Sequence, residues 1–100
     1  DLQQCIADIC TWEKKPVLNI VDAYRIMFQN GPQGKTLADV ATLKSLIVSP
    51  NIVAVDTAAL SLFNQVKKLD LAAASHIGRG EENNLGTTDL KKLNIKRIKL

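Results

Sequence analysis

The sequence predicts an α/β domain: a small, mostly buried sheet of about three or more strands, with helices packed on its faces. Three observations carry that prediction. An amphipathic helical pattern opens the chain, short β-branched runs follow at Val17–Val21 and Leu43–Val48, and an almost wholly apolar helical run begins at Ile52. The resulting order is helix, strand, loop, strand, helix, helix, strand, without an internal repeat. A chain of 100 residues fits one domain with one core. Asp1 opens it without an initiator Met, a basic leader or an apolar leader, so residues 1–100 read as a single domain and as an excised fragment or a processed chain.

Each element has its own justification. Leu2, Cys5, Ile6, Ile9 and Cys10 recur at the spacing of one helical face. Lys14-Lys15 suits the negative dipole end of that helix, and Pro16 stops it. Val17–Val21 is short and apolar on both faces, as in a strand covered on two sides, and Asp22 closes it. Ala23–Gln29 fits either helix or strand. Asn30-Gly31-Pro32-Gln33-Gly34-Lys35 is a loop, and Thr36–Ala41 a loop or short turn. Leu43–Val48 is the second strand. Ser49 or Asn51 caps a deeply buried helix from Ile52 to Phe63. A further helix is expected over Lys67–Ile77, a polar loop over Gly78–Gly86, a short turn from Thr88, and a terminal strand over Ile95–Leu100.

Composition excludes several classes. Apolar residues make up 46% of the chain, which argues against disorder and low complexity. Two cysteines are too few for a disulfide scaffold or a four-thiolate metal site. The formal charge is +3, and the first fifty residues carry five charges of each sign, so the excess lies in the second half. Between Ser45 and Val66 the only charge is Asp56. A central Asp costs about 2.5–3.5 kcal/mol on insertion, and Pro50-Asn51 marks a turn, so no membrane span is read there. The compartment stays open between cytoplasm and export, since no signal lies in the chain and two packed thiols suit either.

The polar candidates each have a structural reading beside a functional one. Cys5 and Cys10 share the apolar stripe of the first helix, and packing is favoured over ligation. Asp22, at a strand's carboxyl end, either lines a ligand crevice or caps a turn and pairs with Arg25. The Asn30–Lys35 loop exposes backbone N–H groups and a lysine, the makings of an anion site, though its glycines lack the Walker spacing. Asp56 sits within a greasy helix and either forms a structural pair or lines a site. His76 is expected to cap a helix C-terminus. Lys91, Lys92, Lys96, Arg97 and Lys99 interleave with aliphatics, and no aromatic follows Phe63, so a lysine-guarded strand edge is favoured over nucleic acid.

Three segments, falling on two signatures, carry a family resemblance. Val21-Asp22-Ala23-Tyr24-Arg25-Ile26-Met27 followed by Asn30-Gly31-Pro32-Gln33-Gly34 resembles a "VDA-x-R-x-M … NGP-x-G" signature, and Val53-Ala54-Val55-Asp56 resembles a downstream "D-P-V-A-V-D-A" signature. Both belong to a prokaryotic family, the domain of unknown function numbered 362. The resemblance runs from about Pro16 to Gly86 and places this chain in the C-terminal part of a longer family domain. Asn51 and Ile52 stand where the pattern has Asp and Pro, and Lys35 replaces a frequent second Gly. Members are often described as iron–sulfur-binding because many carry a fused four-iron ferredoxin module. No Cys-x-x-Cys-x-x-Cys run occurs here, so the resemblance implies a cluster only in a missing segment or a partner module.

The expectation is therefore a ligand- or metal-binding module of a redox-associated protein. Asp22, Arg25, Asn30, Gly31 and Asp56 fall on the signatures and form the candidate site. Asp22 and Asp56 would meet and hold a divalent cation, the hard ligand that two carboxylates and an amide suit. The alternative is a structural half-domain without a site, partnered by a missing N-terminal part or a second copy, with both acids acting as caps or pairs. Neither reading names a reaction.

Overall fold

The computed structural model describes residues 1–69 and 71–99. Helix α1 spans Leu2–Ile9, with the Asp1 carboxylate accepting the Gln4 N–H at 2.9 Å as its N-cap. It ends well before Lys14-Lys15, because Thr11 turns back and its hydroxyl donates to the Asp8 carbonyl at 2.6 Å. The buried side of α1 centres on Ala7, while Leu2 and Ile9 are 71% and 68% exposed. Cys5 is likewise exposed, so the expected apolar stripe is not the one packed.

Strand β1 runs from Asn19 to Met27 and strand β2 from Val40 to Ser49. They pair antiparallel in one two-stranded sheet, from Asn19 opposite Ser49 to Met27 opposite Val40. The segment Ala23–Gln29, compatible with helix or strand, is thus mostly strand. Asp22 lies mid-strand, not at a carboxyl end. The register slips between Ala23 and Arg25, where Lys44 takes a φ of 52°, the mark of a bulge. Exposure alternates along β2, so Val21, Ala23, Ser45 and Ile47 face inward while Ile20, Asp22, Leu46 and Val48 face out.

Helix α2 spans Ile52–Asn64 and packs on the inner face of both strands. Asn51 caps it, its Oδ1 accepting the Ala54 N–H at 2.9 Å. Only the first turns, at Val53, Ala54 and Val55, are buried, so the helix is less enclosed than its composition suggests. Leu71–Ala74 forms a single 3₁₀ turn, and helix α3 runs from His76 to Glu82. The helix expected over Lys67–Ile77 is replaced by this turn, with its residue Asp70 outside the described residues. His76 therefore starts a helix where it was expected to end one. The loop expected from Gly78 is largely α3 itself.

A last 3₁₀ turn covers Leu90–Lys92, and residues 94–99 form no strand. Ile95 and Ile98 stand three apart and cannot share one face of an extended chain. Leu100, the end of that expected strand, lies outside the described residues. The described residues thus hold an α/β arrangement with a two-stranded sheet, where about three or more strands were expected. The sheet is covered on one face only, so it is not the mostly buried one predicted. Among the described residues the core is small: Ala7, Ala23, Val53, Ala54, Val55 and Ile77 are the buried apolar ones.

Candidate functional site

Two polar clusters stand out, and neither joins Asp22 to Asp56. The first closes the hairpin between β1 and β2. Asp39 is buried at 3% exposure. Its carboxylate accepts the Lys35 N–H at 2.7 Å, the Thr36 N–H at 3.1 Å and the Asn30 side-chain amide at 3.1 Å. Its carbonyl accepts the Phe28 N–H at 2.9 Å, which extends the strand ladder by one bond. The backbone N–H of Lys35, then that of Thr36, hold the Asp39 carboxyl below its ordinary value; burial opposes them, and the Asn30 amide adds to the lowering.

The sequence folds this way for local reasons. Thr36 caps the 3₁₀ turn Leu37–Asp39 in a reciprocal box with Asp39. Asn30 and Gly34 take φ of 55° and 72°, a left-handed geometry that Asn tolerates and Gly accepts freely. Met27 packs over the loop, and a Cβ at Gly34 would lie 2.8 Å from its Cε. Of the loop amides that suggested an anion site, Lys35 N–H is thus spent on an internal anion and Gly34 N–H on the Asn30 carbonyl at 2.7 Å. Asn30 belongs to that clasp, and Gly31 is a close-packed neighbour of the Met27 sulfur.

The second cluster ties α1 to α2 and α3. Gln3 Oε1 accepts the His76 backbone N–H at 2.9 Å and lies 2.9 Å from His76 Nδ1. The backbone donor fixes which amide atom is oxygen, so Nδ1 carries a hydrogen. His76 Nε2 lies 3.1 Å from Asp56 Oδ2, so the ring bridges Gln3 of α1 and Asp56 of α2. Beside it, Arg79 donates to Gln4 Oε1 at 2.8 Å and pairs with Asp1 at 3.3 Å. With both ring nitrogens engaged, His76 is arranged as a clip between helices.

Asp56 lines a hollow of about 30 Å³ together with Cys10, Val53 and His76. That is room for roughly one water molecule. Asp22 is not among its lining residues; it is exposed on the opposite face of the hairpin from α2, and its Oδ1 accepts the Tyr24 N–H at 3.0 Å. Arg25 is exposed on β1, and among the described residues it makes no ion pair with Asp22. A wider groove of about 410 Å³ runs past Thr57, Leu60, Ser75, Ile77 and Thr88, and among the described residues no titratable side chain lines it. Among the described residues, no three His, Cys, Asp or Glu side chains are grouped to hold a metal ion. No described helix is long and apolar enough to cross a membrane.

A family model described as "Domain of unknown function (DUF362)" matches residues 1–61. The chain belongs to the DUF362 family. No curated protein and no solved structure matches it. The DUF362 match begins at Asp1, earlier than the resemblance from Pro16 suggests, and stops inside α2, short of Gly86. It therefore takes in α1, the hairpin and the entire Asp39 clasp. It includes Asp56 but not His76, so the interhelical clip is half inside the DUF362 region.

Sequence reasoning missed Asp39, Gln3 and Arg79. A signal for Asp39 was present: Thr36 and Asp39 have the spacing of a capping box directly ahead of a strand. Gln3 had none, since its partner lies 73 residues away.

Proposed function

We propose that this chain is a structural interaction module, a half-domain that contributes its hairpin and helical layer to a larger assembly. One observation carries the reading. The outer face of the β1–β2 sheet is apolar and bare: Ile20 is 62% exposed, Leu46 65%, Val48 49% and Tyr24 52%. The run from Val17 to Val21 has the composition of a doubly covered strand, yet α2 covers one face alone.

The area agrees. The chain exposes 7827 Å². A folded monomer of its mass exposes about 5,600 Å², leaving an excess of about 2,200 Å². One partner's share of an obligate interface is about 1,000–2,500 Å². Two strands alone are also marginal in water, so the hairpin gains from strands added at its open edges.

Fluorescence of an apolar dye tests the reading. The dilute chain should bind the dye strongly, and replacing Ile20, Leu46 and Val48 together by Thr should remove most of the signal while the far-ultraviolet spectrum is kept. A dilute chain that leaves the dye dark, with the compact scattering profile of an ordinary monomer, would end it.

A further inference from the structure

We propose that the bare sheet face is covered by a second copy of this chain, related by a two-fold axis running along the strands. The inference rests on the interaction-module reading and names its partner. Ile20 pairs with Val48 and Asp22 with Leu46, and each pair points outward together. A two-fold axis parallel to the strands lays β1 of one copy over β2 of the other at the same level. Ile20 then meets the partner's Val48, and Asp22 meets the partner's Leu46. Sheets stacked this way sit about 10 Å apart, the thickness of two interdigitated side-chain layers.

The charges on the face fit the same operator. Lys44 is exposed at the bulge of β2, two residues from Leu46 and across from the exposed Tyr24 that follows Asp22 on the outer face. Asp22 of each copy therefore comes beside Lys44 of the other, which gives two equivalent ion pairs at the border of the apolar patch. The face carries acid and base on opposite strands, the arrangement that a contact laying β1 over the partner's β2 needs.

Sedimentation equilibrium on the whole chain, from low micromolar to millimolar, tests the inference with the apolar dye read in parallel. The expected result is a monomer–dimer equilibrium in which dye binding falls as dimer forms. Asp22→Lys should raise the dissociation constant about tenfold or more by setting lysines face to face. Adding Lys44→Asp to it should restore dimerisation, because the swapped charges again attract. Circular dichroism of each variant at low concentration reports whether the fold is kept. If Asp22→Lys does not fold, Leu46→Lys should raise the dissociation constant in its place. A monomer that binds dye at every concentration overturns the second copy as partner and leaves the module reading standing. A monomer that binds no dye overturns both. A dimer indifferent to the sheet-face substitutions also overturns the proposal, since it uses another surface.

Discussion

Gly86 and Asn51 should be coupled. Asn51 caps α2 through its Oδ1, and the chain passes so close at Gly86 that a Cβ there would collide with that oxygen and lie 3.0 Å from the Val53 Cβ. Asn51→Ala removes the cap and should cost about 1 kcal/mol. Gly86→Ala should displace the cap, losing the same ~1 kcal/mol, and add about 1–3 kcal/mol of overpacking, offset by about 0.4–1 kcal/mol of lost freedom in the unfolded chain. The single Gly86→Ala variant thus comes to about 2 kcal/mol. In the Asn51→Ala background most of the collision is gone, and the same Gly86→Ala change should be close to neutral. The coupling energy should therefore exceed about 1 kcal/mol in favour of the double variant. Urea unfolding of the four proteins at one fixed concentration measures it, and the melting temperatures should move by about 4–8 °C per kcal/mol. Effects that add to within about 0.5 kcal/mol would show that Gly86 does not approach the cap.

Four further outcomes follow from the hydrogen bonds and close contacts of the fold. Asp39 titrates below its ordinary value of 3.8 in the folded chain, so its contribution is fully present above that range and is lost as pH falls through the lowered folded value. Asp39→Asn should flatten the acid limb of a stability–pH curve, and an unchanged limb refutes the clasp. Glu81, lowered from 4.5 by the Thr88 N–H and then its hydroxyl, should act with the same sign, and Glu81→Gln separates its share. Gly34→Ala should destabilise by at least about 1 kcal/mol in thermal unfolding, because its φ is 72° and Met27 lies against it. His76→Ala should cost about 1–2 kcal/mol and speed hydrogen exchange in α1 and α3 while leaving the β1–β2 amides slow; uniform acceleration would refute a local clip.

What the sequence disclosed was its local physics. The start of α2 was legible because Asn51 is a side-chain acceptor set directly before an apolar run, and both strands were legible from their β-branched runs. The length of β1 was not, because Tyr24, Met27 and Phe28 also have helical spacing; the tie from Phe28 to Asp39 settled it as strand. The packed face of α1 was misread for a related reason. Hydrophobic spacing marks Leu2, Cys5 and Ile9, but the helix docks through Ala7 and the Gln3 contact to His76. A face left bare in this chain has the same composition as a face buried in it, so pattern alone cannot tell which one α3 will cover.

The acids make the same point with more consequence. Asp56 drew attention because its neighbours are greasy, and Asp39 drew none because its neighbours are a loop. Yet an acid is shaped by the donors within its reach. In a helix the main-chain N–H groups are committed to carbonyls four residues back, so an acid on the second turn of α2 must find its partner elsewhere in the fold. Asp56 finds His76, from another element and beyond the DUF362 match. In a Gly-containing turn the N–H groups are uncommitted, and an acid a few residues on can collect them, as Asp39 collects those of Lys35 and Thr36. A loop rich in free amides in this sequence was therefore a reason to look downstream for the chain's own carboxylate before looking outside for a ligand.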